Sequence, residues 1–245
     1  QSGEKTLVSL MHANNEIATL LPLKAVSILC RKYDALFHSD TVQTMGHYLF
    51  DLKDLDIDFI TCAAHKFHGP KGIGFAYISK KNPIRPLIFG GSQEKGCRAG
   101  TESVHNIIGM SYALDISIDK IEAETKYIKN LKSYFIAQLK DNIKGVKFNG
   151  VSSDLEHSTY TLVNVRFPII KEESALFLFQ LDMKGIACSK GSACQSGADS
   201  GSHVLNNVLS EEENKFVSLR FSFSIYNTIE EVDYVISELK QLINK

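Results

Sequence analysis

Ile57-Asp58-Phe59-Ile60-Thr61-Cys62-Ala63-Ala64-His65-Lys66 runs into Gly69-Pro70-Lys71-Gly72-Ile73-Gly74. The first six residues read as a buried strand, and a lysine follows it closely. Lysine is rarely buried in a core. An amine at a strand end, beside glycines that let a ligand approach, suits a Schiff-base lysine. A lone lysine after a strand is more often a solvated loop charge, so the neighbouring strands decide between the two readings.

Two earlier runs have the same form. Leu7-Val8-Ser9-Leu10-Met11 ends in His12-Ala13-Asn14-Asn15-Glu16, and Ala35-Leu36-Phe37 ends in His38-Ser39-Asp40, with Gln43 close behind. Between them Pro22 to Tyr33 reads as a helix, with Pro22 suited to its first turn. Strand, helix, strand and a further strand predict an α/β fold with a parallel sheet. Such sheets bind ligands outside the carboxyl ends of their strands. Asn15, Asp40 and Lys66 all fall at such ends. A lysine and an aspartate placed there match the needs of pyridoxal phosphate: the amine bonds the cofactor, and the carboxylate stays ionised against the pyridinium nitrogen. Asp40 alone would be a turn former or a helix cap. The combination with Gln43 and the glycines favours a site.

Composition narrows the class. With 44% hydrophobic and 22% charged residues in 245, the chain has ample material for one large or two smaller domains. A formal net charge of -1 gives no basic field for nucleic acid or an anionic membrane. No apolar segment is long enough to span a bilayer. Five cysteines without secretory context predict reduced thiols in a cytosol-like, cytoplasmic setting. Cys188 and Cys194 are too widely spaced for a zinc pair. Cys30 and Cys62 lie in apolar runs and read as core residues.

Farther along, Gly90 to Thr101 is a glycine-rich polar loop. A long helix follows, with Ile121, Ile128, Leu131, Phe135 and Leu139 on one face. It links two expected domains, 1–120 and 121–245, the second an α+β unit. Thr161 to Phe167 alternates as a strand, Glu172 to Leu181 reads as a helix and Ile186 to Ser189 as a short strand. Ser210-x-x-Glu213 and Thr228-x-x-Glu231 are capping boxes, the second opening a helix that buries Val232, Val235, Ile236, Leu239 and Leu242. In Val217 to Ser224 strict alternation sets Arg220 on a face of small serines, where its guanidinium fork suits a carboxylate as well as solvent. Cys194 lies in the small-residue loop Lys190 to Gly197. A nucleophilic thiol could travel there, although thiolate character is not readable from sequence.

Taken together, His12-Ala13-Asn14-Asn15-Glu16, Asp40-x-x-Gln43, Ala64-His65-Lys66-x-x-Gly69-Pro70-Lys71-Gly72, Arg98-Ala99-Gly100-Thr101, Gly191-Ser192-Ala193-Cys194 and Arg220-Phe221-Ser222 resemble, in order, the motifs of NifS/IscS-type cysteine desulfurases of the class V aminotransferase family. The likeness runs from about Thr6 to Leu242. It implies a fold-type I PLP-dependent transferase, with part of the large-domain parallel or mixed sheet plus a small C-terminal α+β domain. It also implies a homodimer. By position Lys66 becomes the cofactor lysine and the base for the substrate's α-proton, and Asp40 the pyridinium partner. Gln43 bonds the ring's phenolate oxygen and His65 the phosphate. Thr101 reaches the phosphate of the neighbouring subunit's cofactor. Asn15 lies against cofactor and substrate, and with Arg220 it holds the substrate carboxylate. Cys194 takes sulfur from L-cysteine as a persulfide, leaving L-alanine, and passes it to an iron–sulfur scaffold or another acceptor. A transient iron–sulfur cluster is the only metal role the resemblance leaves for Cys194.

Two departures set further expectations. Ala63 stands where many relatives carry Ser, removing one hydroxyl from the phosphate site. The family's N-terminal block, with its phosphate-binding turn and ring-stacking histidine, is absent from these 245 residues. A helix N-terminus contributes much of phosphate binding, so the chain by itself is expected to hold pyridoxal phosphate weakly, to turn over little and to expose apolar sheet surface. The alternatives are a selenocysteine lyase, an aminotransferase in which the Ser-Ala-Cys loop has no role, and a non-catalytic fragment that docks sulfur-acceptor partners.

Overall fold

A computed structural model describes residues 5–190 and 201–243. Two compact units emerge: Gln1–His12 with Leu21–Ile121, and Ala13–Leu20 with Glu122–Lys245. Sequence alone had left Ala13–Leu20 with the first part. Backbone pairing moves it: Thr19 bridges Ser158, and the Thr159 N–H donates to the Ala18 carbonyl at 2.8 Å.

In the first unit, β1 (Thr6–Met11), β2 (Ala35–Asp40), β3 (Phe59–Thr61) and β4 (Ala76–Ile78) form one sheet in that order. The first three are parallel, as the strand–helix–strand pattern predicts, and β4 returns antiparallel to β3. The crossover helix α1 (Leu23–Lys32) has Pro22 just outside its first turn, at the cap position. It packs Leu23 and Cys30 with Ala35 and Phe37 of β2 and Ile57 and Ile60 around β3. Cys62 is buried as well, so both cysteines read as core residues lie in the core.

One member of the apolar run is a buried acid. Asp58 is 2% exposed. Its carboxylate accepts from the Phe37 N–H at 2.7 Å and from Asn82 and Arg31. Its backbone bonds Phe37 and Ser79. A buried carboxylate is tolerated where its oxygens are all engaged, and here it ties β2, β3 and the end of β4 together. Beyond β3 the chain approaches itself so closely at Gly74 that a Cβ would stand 2.2 Å from the Cys62 carbonyl oxygen.

The helix α2 (Val104–Asn142) runs from the first unit into the second. Its five anticipated apolar positions, Ile121 to Leu139, are all buried. In the second unit β5 (Lys147–Phe148), β6 (Leu162–Ile170) and β7 (Phe216–Ser222) make an antiparallel sheet. Val217, Leu219 and Phe221 point inward. Phe135 of α2 packs against Phe221 and Phe223 with ring centroids 5.0 and 5.5 Å apart. After α3 (Ser174–Met183), Ile186–Ser189 does not form the expected strand. Gly185 turns the chain at φ +73°, and only Ser189 reaches β7, in a single bridge to Arg220. A short helix α4 (His203–Val208) is capped by Ser202, and α5 (Ile229–Ile243) closes the unit. Both capping boxes form. Ser210 and Glu213 exchange bonds ahead of a single 3-10 turn, and Thr228 and Glu231 do so at the start of α5. Val235 is only half-buried, while Val232, Ile236 and Leu239 are buried.

Candidate active site

In the first unit the chemistry gathers where β1, β2 and β3 end. Asp40 is the last residue of β2 and pairs in register with Thr61, the last of β3. Its Oδ1 accepts from the Val42 N–H at 2.8 Å, an Asx turn that fixes the carboxylate at the sheet edge. The chain leaves β3 through Cys62 and Ala63 into one 3-10 turn, Ala64–Lys66. Ala64 is fully buried, whereas His65 and Lys66 are exposed, so the turn anchors by its alanine and presents the two basic side chains. Gln43 is half-buried on the turn that follows Asp40. Thr101 is exposed at the end of the Gly90–Thr101 loop. The structure thus brings the ends that carry Asp40 and Lys66 together on neighbouring parallel strands, where ligands of such sheets bind.

Two histidines, given no role by sequence reasoning, join this region. His12 directly follows β1, and its N–H donates to the Asp40 carbonyl at 2.8 Å. Its Nδ1 meets the Thr44 hydroxyl at 2.9 Å, and its ring stands edge-on to Tyr48 and Phe50. Burial pushes the imidazole down to about 4, so it is neutral at physiological pH. Its place straight after an apolar run, like that of Asp40, was the signal available in sequence. His47 donates from Nε2 to the Lys66 carbonyl at 3.1 Å. Nothing in the sequence pattern marked it.

The second unit holds the other pair. Arg220 lies on β7, and its Nη1 donates to the Asn15 carbonyl at 2.7 Å. Its backbone exchanges bonds with Ser189 at 2.8 and 3.1 Å. The Arg220 Nε is buried with no acceptor among the described residues. A buried donor left unpaired is costly, and a guanidinium fork suits a carboxylate. Burial pulls it below its ordinary value while Glu16 opposes, and an arginine still stays charged. Asn15 lies four residues beyond β1 and packs in this unit, its loop shaped by Asn14, whose Oδ1 accepts from the Glu16 and Ile17 N–H groups. Glu16 was missed as well. It is 1% exposed, and its carboxylate accepts from the hydroxyl of Ser202. Cys194, anticipated as nucleophile and transient metal ligand, lies outside the described residues together with its loop. Among the described residues no cluster of His, Cys, Asp and Glu could hold a metal ion, and no helix is long and apolar enough to cross a membrane.

Comparison with known proteins identifies the family and the fold. Residues 2–235 match the family model "Aminotransferase class-V". The chain is 40% identical to the cysteine desulfurase IscS of Dictyoglomus turgidum over 239 residues, which are 98% of this chain and 59% of that protein. It is equally 40% identical to the cysteine desulfurase IscS of Clostridium botulinum strain Hall, covering 61% of it. The chain therefore spans about three-fifths of the length of these relatives. The crystal structure of a NifS-like protein from Rickettsia africae superposes with a TM-score of 0.85 at 32% identity, over 98% of this chain and 62% of the other. The fold is accordingly that of the NifS-like, fold-type I enzymes. Class-V aminotransferases and cysteine desulfurases depend on pyridoxal phosphate, and the donor set here fits that group: an exposed amine beyond β3 and a carboxylate fixed at the adjacent end of β2. With the family model spanning residues 2–235, the chain belongs to the class-V aminotransferase family.

Proposed function

We propose that the protein is a pyridoxal phosphate-dependent cysteine desulfurase, or the part of one that carries the cofactor lysine and the small domain. The observation that supports the reading is Asp40 at the end of β2 and Lys66 in the turn just beyond the paired parallel strand β3, in a chain 40% identical to named desulfurases. The first unit is the cofactor-binding domain and the second is the domain of the substrate carboxylate and the cysteine loop.

When bound, pyridoxal phosphate supplies an electron sink for charge developing at the substrate's α-carbon. The protein's own groups do the rest. Lys66 would hold the cofactor through its Nζ, and the same amine would move a proton at the substrate's Cα. Asp40 keeps negative charge against the ring nitrogen. Gln43 donates to the ring's phenolate oxygen, and His65 donates to the phosphate. Thr101 of one copy reaches the phosphate held by the second. Arg220 and Asn15 hold the substrate carboxylate, with Asn15 also lying against the cofactor. The Cys194 thiolate attacks the sulfur of L-cysteine. An S–S bond forms as the C–S bond breaks; the bond's electron pair stays with the substrate's Cβ, which takes up a proton to complete L-alanine, and the outer sulfur stays on Cys194 as a persulfide.

The sulfur goes on to an iron–sulfur scaffold or another acceptor protein, in the cytoplasm. The pairing into a homodimer is supported by the exposed apolar stripe Val104, Ile108 and Tyr112 along α2. Single exposed apolar residues are ordinary, but a contiguous stripe marks an interface.

The test is to incubate the protein and pyridoxal phosphate with L-cysteine and, separately, with L-selenocysteine, measuring alanine and protein-bound persulfide. Alanine from L-cysteine without a keto acid, with sulfur on Cys194, supports the desulfurase. Alanine from selenocysteine alone supports a selenocysteine lyase. A second reading is a non-catalytic protein that docks sulfur-acceptor partners. Capture of an iron–sulfur scaffold without alanine formation would favour it.

A further inference from the structure

Lys66 ends a helical turn, and the last carbonyls of such a turn lack partners within it. Inside the turn the Ala63 carbonyl accepts from the Lys66 N–H at 3.2 Å. The Ala64 carbonyl accepts from the N–H groups of Phe67 and Gly69 at 3.0 and 2.9 Å. A side chain from elsewhere takes the Lys66 carbonyl: Nε2 of His47, at 3.1 Å. A carbonyl only accepts, so His47 carries its proton on Nε2. Burial pushes the ring below its ordinary value and the neighbouring His68 adds to that, while the Lys66 carbonyl opposes. The neutral ring therefore prevails at neutral pH.

His47 belongs to a short coiled turn that begins at Asp40. Thr44 and Met45 donate to the Thr41 carbonyl at 2.9 and 2.8 Å, and His47 and Tyr48 donate to the Thr44 carbonyl at 3.0 Å. The start of the turn is pinned to β3, where the Thr41 N–H and hydroxyl both reach the Thr61 carbonyl at 2.9 Å. The same turn touches the residue after Lys66 by a separate route. Gly46 has φ +78°, and a Cβ there would stand 2.6 Å from the Phe67 Cβ. Two independent contacts thus fasten residues 41–48 to the backbone around Lys66.

We propose that His47 is a positioning residue for the cofactor lysine: by holding the Lys66 carbonyl from the turn that Asp40 begins, it sets the place of the Lys66 amine relative to the Asp40 carboxylate. This rests on Lys66 being the lysine that carries pyridoxal phosphate. His47 acts here through the Lys66 carbonyl. If its bond only stabilised the fold, losing it would lower the melting temperature and leave unchanged which lysine takes the cofactor.

The experiment compares the unchanged chain with His47→Gln and His47→Phe. Each is exposed to limiting pyridoxal phosphate and reduced with borohydride, whose hydride fixes the C=N bond formed between a lysine amine and the cofactor's aldehyde. Peptide mass spectrometry then locates the label. A glutamine amide can still donate to the Lys66 carbonyl and phenylalanine cannot. The expected result is a label concentrated on Lys66 in the unchanged chain and in His47→Gln. In His47→Phe, Lys66 should lose roughly fivefold to tenfold of its advantage over the exposed Lys71 and Lys95, the range one hydrogen bond spans. An equal advantage in all three proteins would overturn the role of His47 alone. No advantage for Lys66 in the unchanged chain would overturn the cofactor-lysine reading, and the role of His47 with it.

Discussion

Lys132 shows most sharply what single side chains decide. It is fully buried on α2, and its Nζ donates to the Ser158 hydroxyl and the Thr159 carbonyl at 2.7 Å each. Burial lowers it to about 7, with Asp154 opposing and Lys129 adding to the fall. The unfolded lysine keeps its ordinary value of 10.5, so between about 7 and 10.5 the unfolded chain binds more protons than the folded one. Stability from this group therefore rises as pH rises through that window, by on the order of 1 kcal/mol per pH unit. Chemical denaturation of the chain and of Lys132→Met at several pH values checks this. The difference between the two should grow in favour of the unchanged chain as pH rises from 7 to 10. Arg220→Lys is the matching prediction for substrate. A point charge cannot reproduce the guanidinium fork, so under the proposed function the KM for L-cysteine should rise about tenfold or more while the cofactor absorbance stays. Sequence alone pointed to Lys66, Asp40 and Arg220 because pattern placed each of them at a strand end or on a polar strand face. His12, His47, Glu16 and Lys132 escaped it, since their roles come from partners 19 to 186 residues distant in sequence.

Elements were legible wherever one periodicity ran long enough. The face of α2 and the alternation of β7 were both readable, because each pattern repeats against one buried side. Ile186–Ser189 was not, because four residues carry too little pattern to separate a strand from an extended segment with one bridge. Asp58 inside β3's apolar run was invisible for another reason. Its burial depends on donors from Phe37, Asn82 and Arg31 that only the folded sheet assembles. Asp58→Ala should accordingly cost about 3 kcal/mol, since it leaves the buried Phe37 N–H and the Asn82 amide unmet and takes one of two carboxylates from Arg31, which keeps Asp56. Urea unfolding measures it, and a loss under 1 kcal/mol would contradict the clamp. Thr228→Ala, at the start of α5, removes the acceptor for the Glu231 N–H. It should cost only about 1 kcal/mol, the usual worth of a cap.

The molecule as a whole divides into a unit with a mixed sheet and a unit with an antiparallel one. What composition could not give was the membership of Ala13–Leu20, which continues from β1 in sequence yet pairs with residues 157–159. Leu7 and Leu10 of the edge strand β1 are exposed, as are Leu87 and Phe89. Ile108→Glu and Tyr112→Glu, both on the exposed stripe of α2, should shift a dimer towards monomer in analytical ultracentrifugation without changing the far-UV spectrum. An unchanged sedimentation coefficient would remove that stripe from the interface.

The most direct test is the visible absorption spectrum of the purified chain after pyridoxal phosphate is added, taken beside Lys66→Ala. A visible cofactor band in the unchanged chain that is absent from Lys66→Ala is the predicted result, and it would make Lys66 the cofactor lysine. The same band in both proteins, or in neither, would contradict that assignment for this chain.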